Sequence, residues 1–181
     1  MKYLCFLILI IFSLTACQKG KSPFPSGEAK IVPNQQVENF TLAETREGKK
    51  NWVLTAKEAK SFEQRKEIEL KELRLDFYRG ESEEHYSTLT AEKGKVNVQT
   101  NDMTAYGNVI VISAKGEKLE TQSLNWLNGP QKIVTEDFIR LTKAEDVVSG
   151  QGLEADPDLK NIIIKKKFYG KKKFPSKDII P

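Results

Sequence analysis

Cys17, His85 and the adjacent Glu136-Asp137 are the side chains of this 181-residue chain whose types could do chemistry. His85 is the single histidine and stands in Arg79-Gly80-Glu81-Ser82-Glu83-Glu84-His85, a polar stretch that reads as a turn. A metal site built from histidine and cysteine, or a nucleophile activated by a buried histidine, is therefore not expected. Glu136 and Asp137 are sequence neighbours, so a strand would point them to opposite faces and not across a substrate as paired carboxylates. No catalytic residue, metal or cofactor is assigned, and the chain does not read as an enzyme. Cys17 is left, and the residues before it decide its chemistry.

Met1-Lys2-Tyr3 gives a basic start, Leu4 to Leu14 is almost wholly apolar, and Leu14-Thr15-Ala16-Cys17 closes the segment. A charged start, an apolar run of about a dozen residues and small residues at its end read as a secretory signal. The run is too short to cross a bilayer, which takes about 20 residues. Leu-Thr-Ala-Cys also resembles the bacterial lipoprotein box, in which the cysteine is acylated and the upstream peptide removed. Residues 1–16 are read as a cleaved lipoprotein signal, and Cys17 as the lipid attachment that ties an exported protein to a membrane. Cys5 leaves with the signal, so no intrachain disulfide can form.

The elements that follow divide by composition. Residues 17–34, with their prolines and glycines, read as a flexible tether. From Gln35 apolar residues alternate with polar ones, and residues 35–168 are read as one β domain. Residues 169–181 form a basic tail. The net charge of +4 is unevenly spread, because Lys165, Lys166, Lys167, Lys171, Lys172, Lys173 and Lys177 crowd the C-terminal end while the body is slightly acidic. A basic tail on an exported, lipid-anchored protein suits anionic lipid or lipid phosphates and not nucleic acid; alternatively its lysines guard an edge strand.

The period of two recurs in Lys95-Val96-Asn97-Val98-Gln99, Ser123-Leu124-Asn125-Trp126, Leu73-Arg74-Leu75-Asp76-Phe77, Ile139-Arg140-Leu141 and Val109-Ile110-Val111-Ile112. Turn signals at Thr100-Asn101-Asp102, Lys115-Gly116-Glu117, Asn128-Gly129-Pro130 and Asp156-Pro157-Asp158 separate them. Ala56 to Leu70 is made of helix formers, yet Phe62, Ile68 and Leu70 make no helical stripe, so it is read as a strand with a charged outer face. A weak repeat runs through Leu54-Thr55-Ala56-Lys57-Glu58-Ala59, Leu89-Thr90-Ala91-Glu92-Lys93-Gly94, Leu119-Glu120-Thr121-Gln122-Ser123-Leu124 and Val148 to Ala155. Intervals of roughly 30 residues suit a strand pair out and back, stacked into one apolar interior with two open ends. The fold expected is all-β, a sandwich or open barrel of antiparallel strands.

Leu89-Thr90-Ala91-Glu92-Lys93-Gly94, Thr104-Ala105-Tyr106-Gly107-Asn108-Val109-Ile110-Val111, Leu124-Asn125-Trp126, Ile133-Val134-Thr135-Glu136-Asp137 and Gly150 to Asp156 come in order. That succession, over roughly Trp52 to Phe168, resembles the LptC family of periplasmic lipopolysaccharide-export proteins. The resemblance implies a twisted, partly open β-jellyroll that holds the acyl chains of lipopolysaccharide. It also implies receipt of the lipid from an inner-membrane ABC transporter and delivery to a periplasmic β-jellyroll bridge protein by edge-strand addition. Familiar members carry an uncleaved membrane helix where this chain has a lipoprotein box, which puts in doubt any role of that helix at the transporter. Gln18 after the lipidated cysteine suits sorting to the outer membrane; the family's function favours the inner membrane, which is the reading adopted.

Side chains two apart share a strand face. This groups Leu73, Leu75 and Phe77; Val96 and Val98; Val109 and Val111; Leu124 and Trp126; Ile139 and Leu141; Ile162 and Ile164, all expected inside. Taken alone, such stripes suit a filled sandwich core; with the resemblance they become the lipid groove. The last strand, expected over Asn161 to Phe168, would be the docking edge. The rival reading is a structural or assembly lipoprotein of the envelope that binds a protein partner through a β-edge and has a solid core.

Overall fold

The computed structural model describes residues 32–79 and 84–171. The signal, Cys17, most of the tether and residues 172–181 of the tail lie outside the described residues. Within them are nine strands: β1 (Gln35–Arg46), β2 (Lys49–Phe62), β3 (Glu67–Arg79), β4 (Glu84–Asn97), β5 (Met103–Ser113), β6 (Lys118–Leu127), β7 (Lys132–Lys143), β8 (Asp146–Ala155) and β9 (Ile162–Lys171). Each pairs antiparallel with its sequence neighbour in the order β1 to β9. β1 and β9 stand at opposite edges and the sheet does not close into a barrel.

Ala56 to Leu70 is the end of β2, a 3-10 turn at Glu63–Arg65 and the start of β3. Strand wins over helix propensity because Ala56, Ala59, Phe62 and Leu70 can all be buried on one side of the sheet. Lys66 closes the turn at φ 52°. His85, expected in a turn, belongs instead to β4. The final strand starts one residue later than expected and runs on to Lys171.

A line of irregularity crosses every strand. Pairing skips Asn39 and Lys57 between β1 and β2, then Lys57 and Glu72, then Glu72 and Glu92. It continues past Gly107 and Asn108, Gln122, and Glu136 and Asp137, and reaches the neighbourhood of Gly150 and Gly152. Asn39, Glu72, Asn108 and Lys167 have φ near 50°, and Gly107 and Gly152 have φ of 80° and 75°. Between β1, β2, β3 and β4 one residue on each strand drops out of the pairing at this line without a shift. From β4 to β9 the register shifts at this line, which makes the irregularities there β-bulges, and a bulge bends its strand. Stacked side by side these irregularities crease the whole sheet. Asn39, Lys57, Glu72, Glu92, Asn108, Gln122 and Glu136 are exposed along the outside of the bend.

The crease also resets the alternation. In β3 the buried positions are Leu70 on one side and Leu73, Leu75 and Phe77 on the other; in β6 they are Leu119 and Thr121, then Leu124 and Trp126. Each strand thus contributes one half to each of two facing layers. Leu54, Leu75 and Leu89 from one layer meet Leu70, Met103, Ala105, Leu124 and Trp126 from the other around a common centre. The hairpin tips of both layers come together opposite the crease and form the mouth of the fold.

Candidate functional site

The interior between the layers is the candidate site. Leu73, Leu75, Phe77, Val96, Val109, Val111, Leu124, Trp126, Ile139 and Leu141 are all buried in it. Ile162 and Ile164, on the edge strand β9, are half-buried and pack against this core. Val98 departs from the expectation. β4 ends at Asn97, Val98 begins the following turn with its N–H donated to the Lys66 carbonyl, and its side chain is 46% exposed. The alternation of Val96 and Val98 is real in sequence, but the strand stops before the second residue.

Sequence reading missed several interior residues: Trp52, Leu54, Leu70, Leu89, Leu119, Ile133, Leu153 and Leu159 are fully or nearly fully buried. Three of them, Leu54, Leu89 and Leu119, head the repeat units, which was the signal available to find them. Leu159 sits in the β8–β9 connection and carries no strand period to mark it.

In this state the interior is shut. The cavity among Leu54, Leu70, Leu75, Leu89, Met103, Leu124 and Trp126 holds about 10 Å³, room for about one water molecule. Larger hollows lie on the outside of the sheet, such as a charged one of about 320 Å³ between Glu58, Lys60, Glu69, Lys71 and Lys93.

The mouth is bridged by polar groups. Asn128, in the β6–β7 turn, accepts a hydrogen bond from Trp52 Nε1 at 3.2 Å and donates to Glu44 at 3.1 Å, while its N–H donates to Asp102 at 2.8 Å. Arg79 pairs with Asp158 at 3.2 Å, and Lys143 Nζ donates to the Leu159 carbonyl at 2.8 Å. Asp156 receives Lys132 at 2.5 Å and Asn161 at 2.6 Å; the Lys132 bond chiefly holds its carboxyl below the usual range. Tyr86 packs beside Phe77, and burial, reinforced by Asp158, pushes its phenol up to about 12.

His85 lies on the outer face, 3.2 Å from Asp76 and 2.9 Å from Thr88. Burial works to raise the Asp76 carboxyl, but bonds from Arg74 and Thr88 outweigh it and leave the group below its ordinary value. This is a surface network tying β3 to β4. Glu136 and Asp137 occupy the β7 bulge, where Glu136 pairs with Lys165 and Asp137 accepts from Ser123 Oγ at 2.6 Å. Neither carboxylate faces the interior cavity.

Among the described residues two edges are open. β1 pairs there only with β2 and β9 only with β8, so each presents one row of backbone groups with no described strand beside it. On β9, Ile163 and Tyr169 are exposed among Lys165, Lys166 and Lys167.

A creased antiparallel sheet with an apolar interior and two free edges defines an open β-jellyroll. The sequence profile described as lipopolysaccharide-assembly, LptC-related, matches residues 3–171, and the chain belongs to that family. Membership implies a periplasmic component of lipopolysaccharide transport. Among solved structures the fold is similar to LptH of Pseudomonas aeruginosa, the LptA-homologous periplasmic component of its lipopolysaccharide transport device. That likeness has a TM-score of 0.53 at 8% identity and covers 67% of this chain and 94% of the other. Comparison with curated proteins finds no match.

Proposed function

We propose that this protein is a lipid-anchored, non-enzymatic carrier that receives lipopolysaccharide from an inner-membrane ABC transporter and passes it to a periplasmic bridge protein. The observation that carries the reading is the apolar interior itself, continuous between two layers of a sheet that does not close into a barrel. Each acyl methylene taken out of water there contributes about 0.8 kcal/mol, so the chains of one lipid are held without covalent chemistry. Leu75, Phe77, Leu124, Trp126, Ile139 and Leu141 would line the acyl path, with Ile162 and Ile164 at its β9 end. Because the interior is closed in this state, entry requires the layers to part along the mouth. The bridge protein would add its strand to the free side of β9. Cys17 supplies the anchor, with the inner membrane as the site at which the transporter is met.

The filled interior favours one other reading, an assembly lipoprotein with a solid core that binds a protein partner through a β-edge. Depletion in cells separates them. The carrier reading expects lipopolysaccharide to accumulate at the inner membrane and to co-purify with the full-length protein. Unimpaired export with no associated lipid would leave the assembly reading in its place.

A further inference from the structure

Two serines and two tryptophans are buried on the inner surface of the jellyroll, and in each pair only one has its polar atom satisfied. Ser113, 4% exposed, accepts a hydrogen bond from the Glu117 N–H at 3.3 Å; Trp52 donates to Asn128. Their counterparts, Ser87 Oγ and Trp126 Nε1, have no hydrogen-bond partner among the described residues, although the side chains are 0% and 1% exposed. Buried polar groups are nearly always paired, so each orphan asks for an explanation.

The two orphans are not scattered. Ser87 is the cross-strand partner of Phe77, and the Trp126 ring stands edge-on to the same phenyl at 4.8 Å between centroids. Ser87 comes from one layer and Trp126 from the other, both on the mouth side of the crease. From this point to the crease the interior offers Leu75, Leu89, Ala105, Leu124 and Leu70, all apolar. A ligand suited to this arrangement is a hydrocarbon chain carrying one acceptor at its mouth-side end. A carbonyl oxygen has two lone pairs and can take both an indole N–H and a serine O–H.

We infer that Ser87 and Trp126 form a two-donor seat for the acyl carbonyl, ester or amide, of a lipid whose chain enters the interior. The inference rests on the carrier reading above and gives it a chemical address: the pair recognises the junction between chain and headgroup, and the leucines recognise the chain.

The test uses the full chain in detergent micelles with 15N-labelled indoles, the two signals being assigned with a Trp52→Phe variant. Methyl myristate and tetradecane are the probes, alike in chain and differing in the carbonyl. The ester should move the Trp126 indole proton downfield and bind about three- to tenfold more tightly than the alkane, the range one hydrogen bond supports. Ser87→Ala should erase that preference while both probes still bind. Equal binding of ester and alkane to the wild type, or a preference that survives Ser87→Ala, overturns the seat and leaves the orphans to a single buried water, with the carrier reading intact. Failure of both probes and of lipopolysaccharide to enter overturns the carrier reading as well. The source of the carbonyl is read with lipopolysaccharide micelles against phosphatidylethanolamine vesicles. A shift with the first supports both readings, and a shift with the second alone supports the seat but removes lipopolysaccharide as its cargo.

Discussion

The crease and the mouth bound the same interior from opposite sides and are made differently. At the crease the two layers are joined by continuous backbone, bent at Asn39, Glu72, Gly107-Asn108 and Gly152 through residues with positive φ. At the mouth they meet through side chains: Asn128 with Trp52, Arg79 with Asp158, Lys143 with the Leu159 carbonyl. Separating the layers at the crease would require breaking strands. At the mouth it requires a few hydrogen bonds, each a net contribution of about 1 kcal/mol, and partly exposed ion pairs worth about that or less. The jellyroll is therefore a hinge on one side and a clasp on the other. What keeps it shut is the apolar contact that an acyl chain could replace.

Overfilling the crease should have the largest effect. A Cβ on Gly94 would collide with the Leu73 side chain and come 2.9 Å from the Thr104 carbonyl oxygen. Gly94→Val should lower stability by about 3 kcal/mol in a urea melt. Asn128→Ala should cost about 2 kcal/mol, because it leaves the Trp52 indole N–H buried without an acceptor. It should also speed hydrogen exchange at the mouth before the crease. Equal protection loss on both sides would mean that the clasp and hinge are not distinct.

A smaller effect comes from Tyr86. Its phenol is raised from 10.0 to about 12 by burial, reinforced by Asp158. The unfolded chain gives up that proton first, so the stability contribution is complete below about pH 10 and declines as pH rises towards 12. Tyr86→Phe should flatten this alkaline slope in melts taken across that range, and an unchanged slope would show that the mouth does not bury the phenol. Lys57→Ala, which removes the exposed pair with Glu72 on the outside of the crease, should leave Tm unmoved.

The alternation of Leu73, Leu75 and Phe77, or of Leu124 and Trp126, was readable because a period of two needs only the strand itself. The crease was written in the sequence as the repeat. Leu54 to Ala59, Leu89 to Gly94, Leu119 to Leu124 and Val148 to Ala155 each straddle the bend of β2, β4, β6 or β8. Its meaning as a fold line was not legible, since a bulge is a relation between neighbouring strands and no one strand displays it. Val98 was misplaced because a strand's end is set by its hairpin, here Asn97 Oδ1 accepting from Gln99 and Thr100. Ser87 carries no signal in the sequence and Asn128 reads there only as part of a turn: their importance comes from what stands opposite, across a layer gap that spacing along the chain does not encode.

The central claim, that the interior face carries lipid and the outer face does not, is tested most directly by photo-crosslinking in cells at two adjacent residues. Ile139 is fully buried on the inner face and Arg140 is exposed on the outer one. With a photoreactive side chain at each position in turn, lipopolysaccharide adducts should form at 139 and not at 140. Adducts at neither position in a folded, exported protein would contradict the carrier account and mark the interior as an ordinary core.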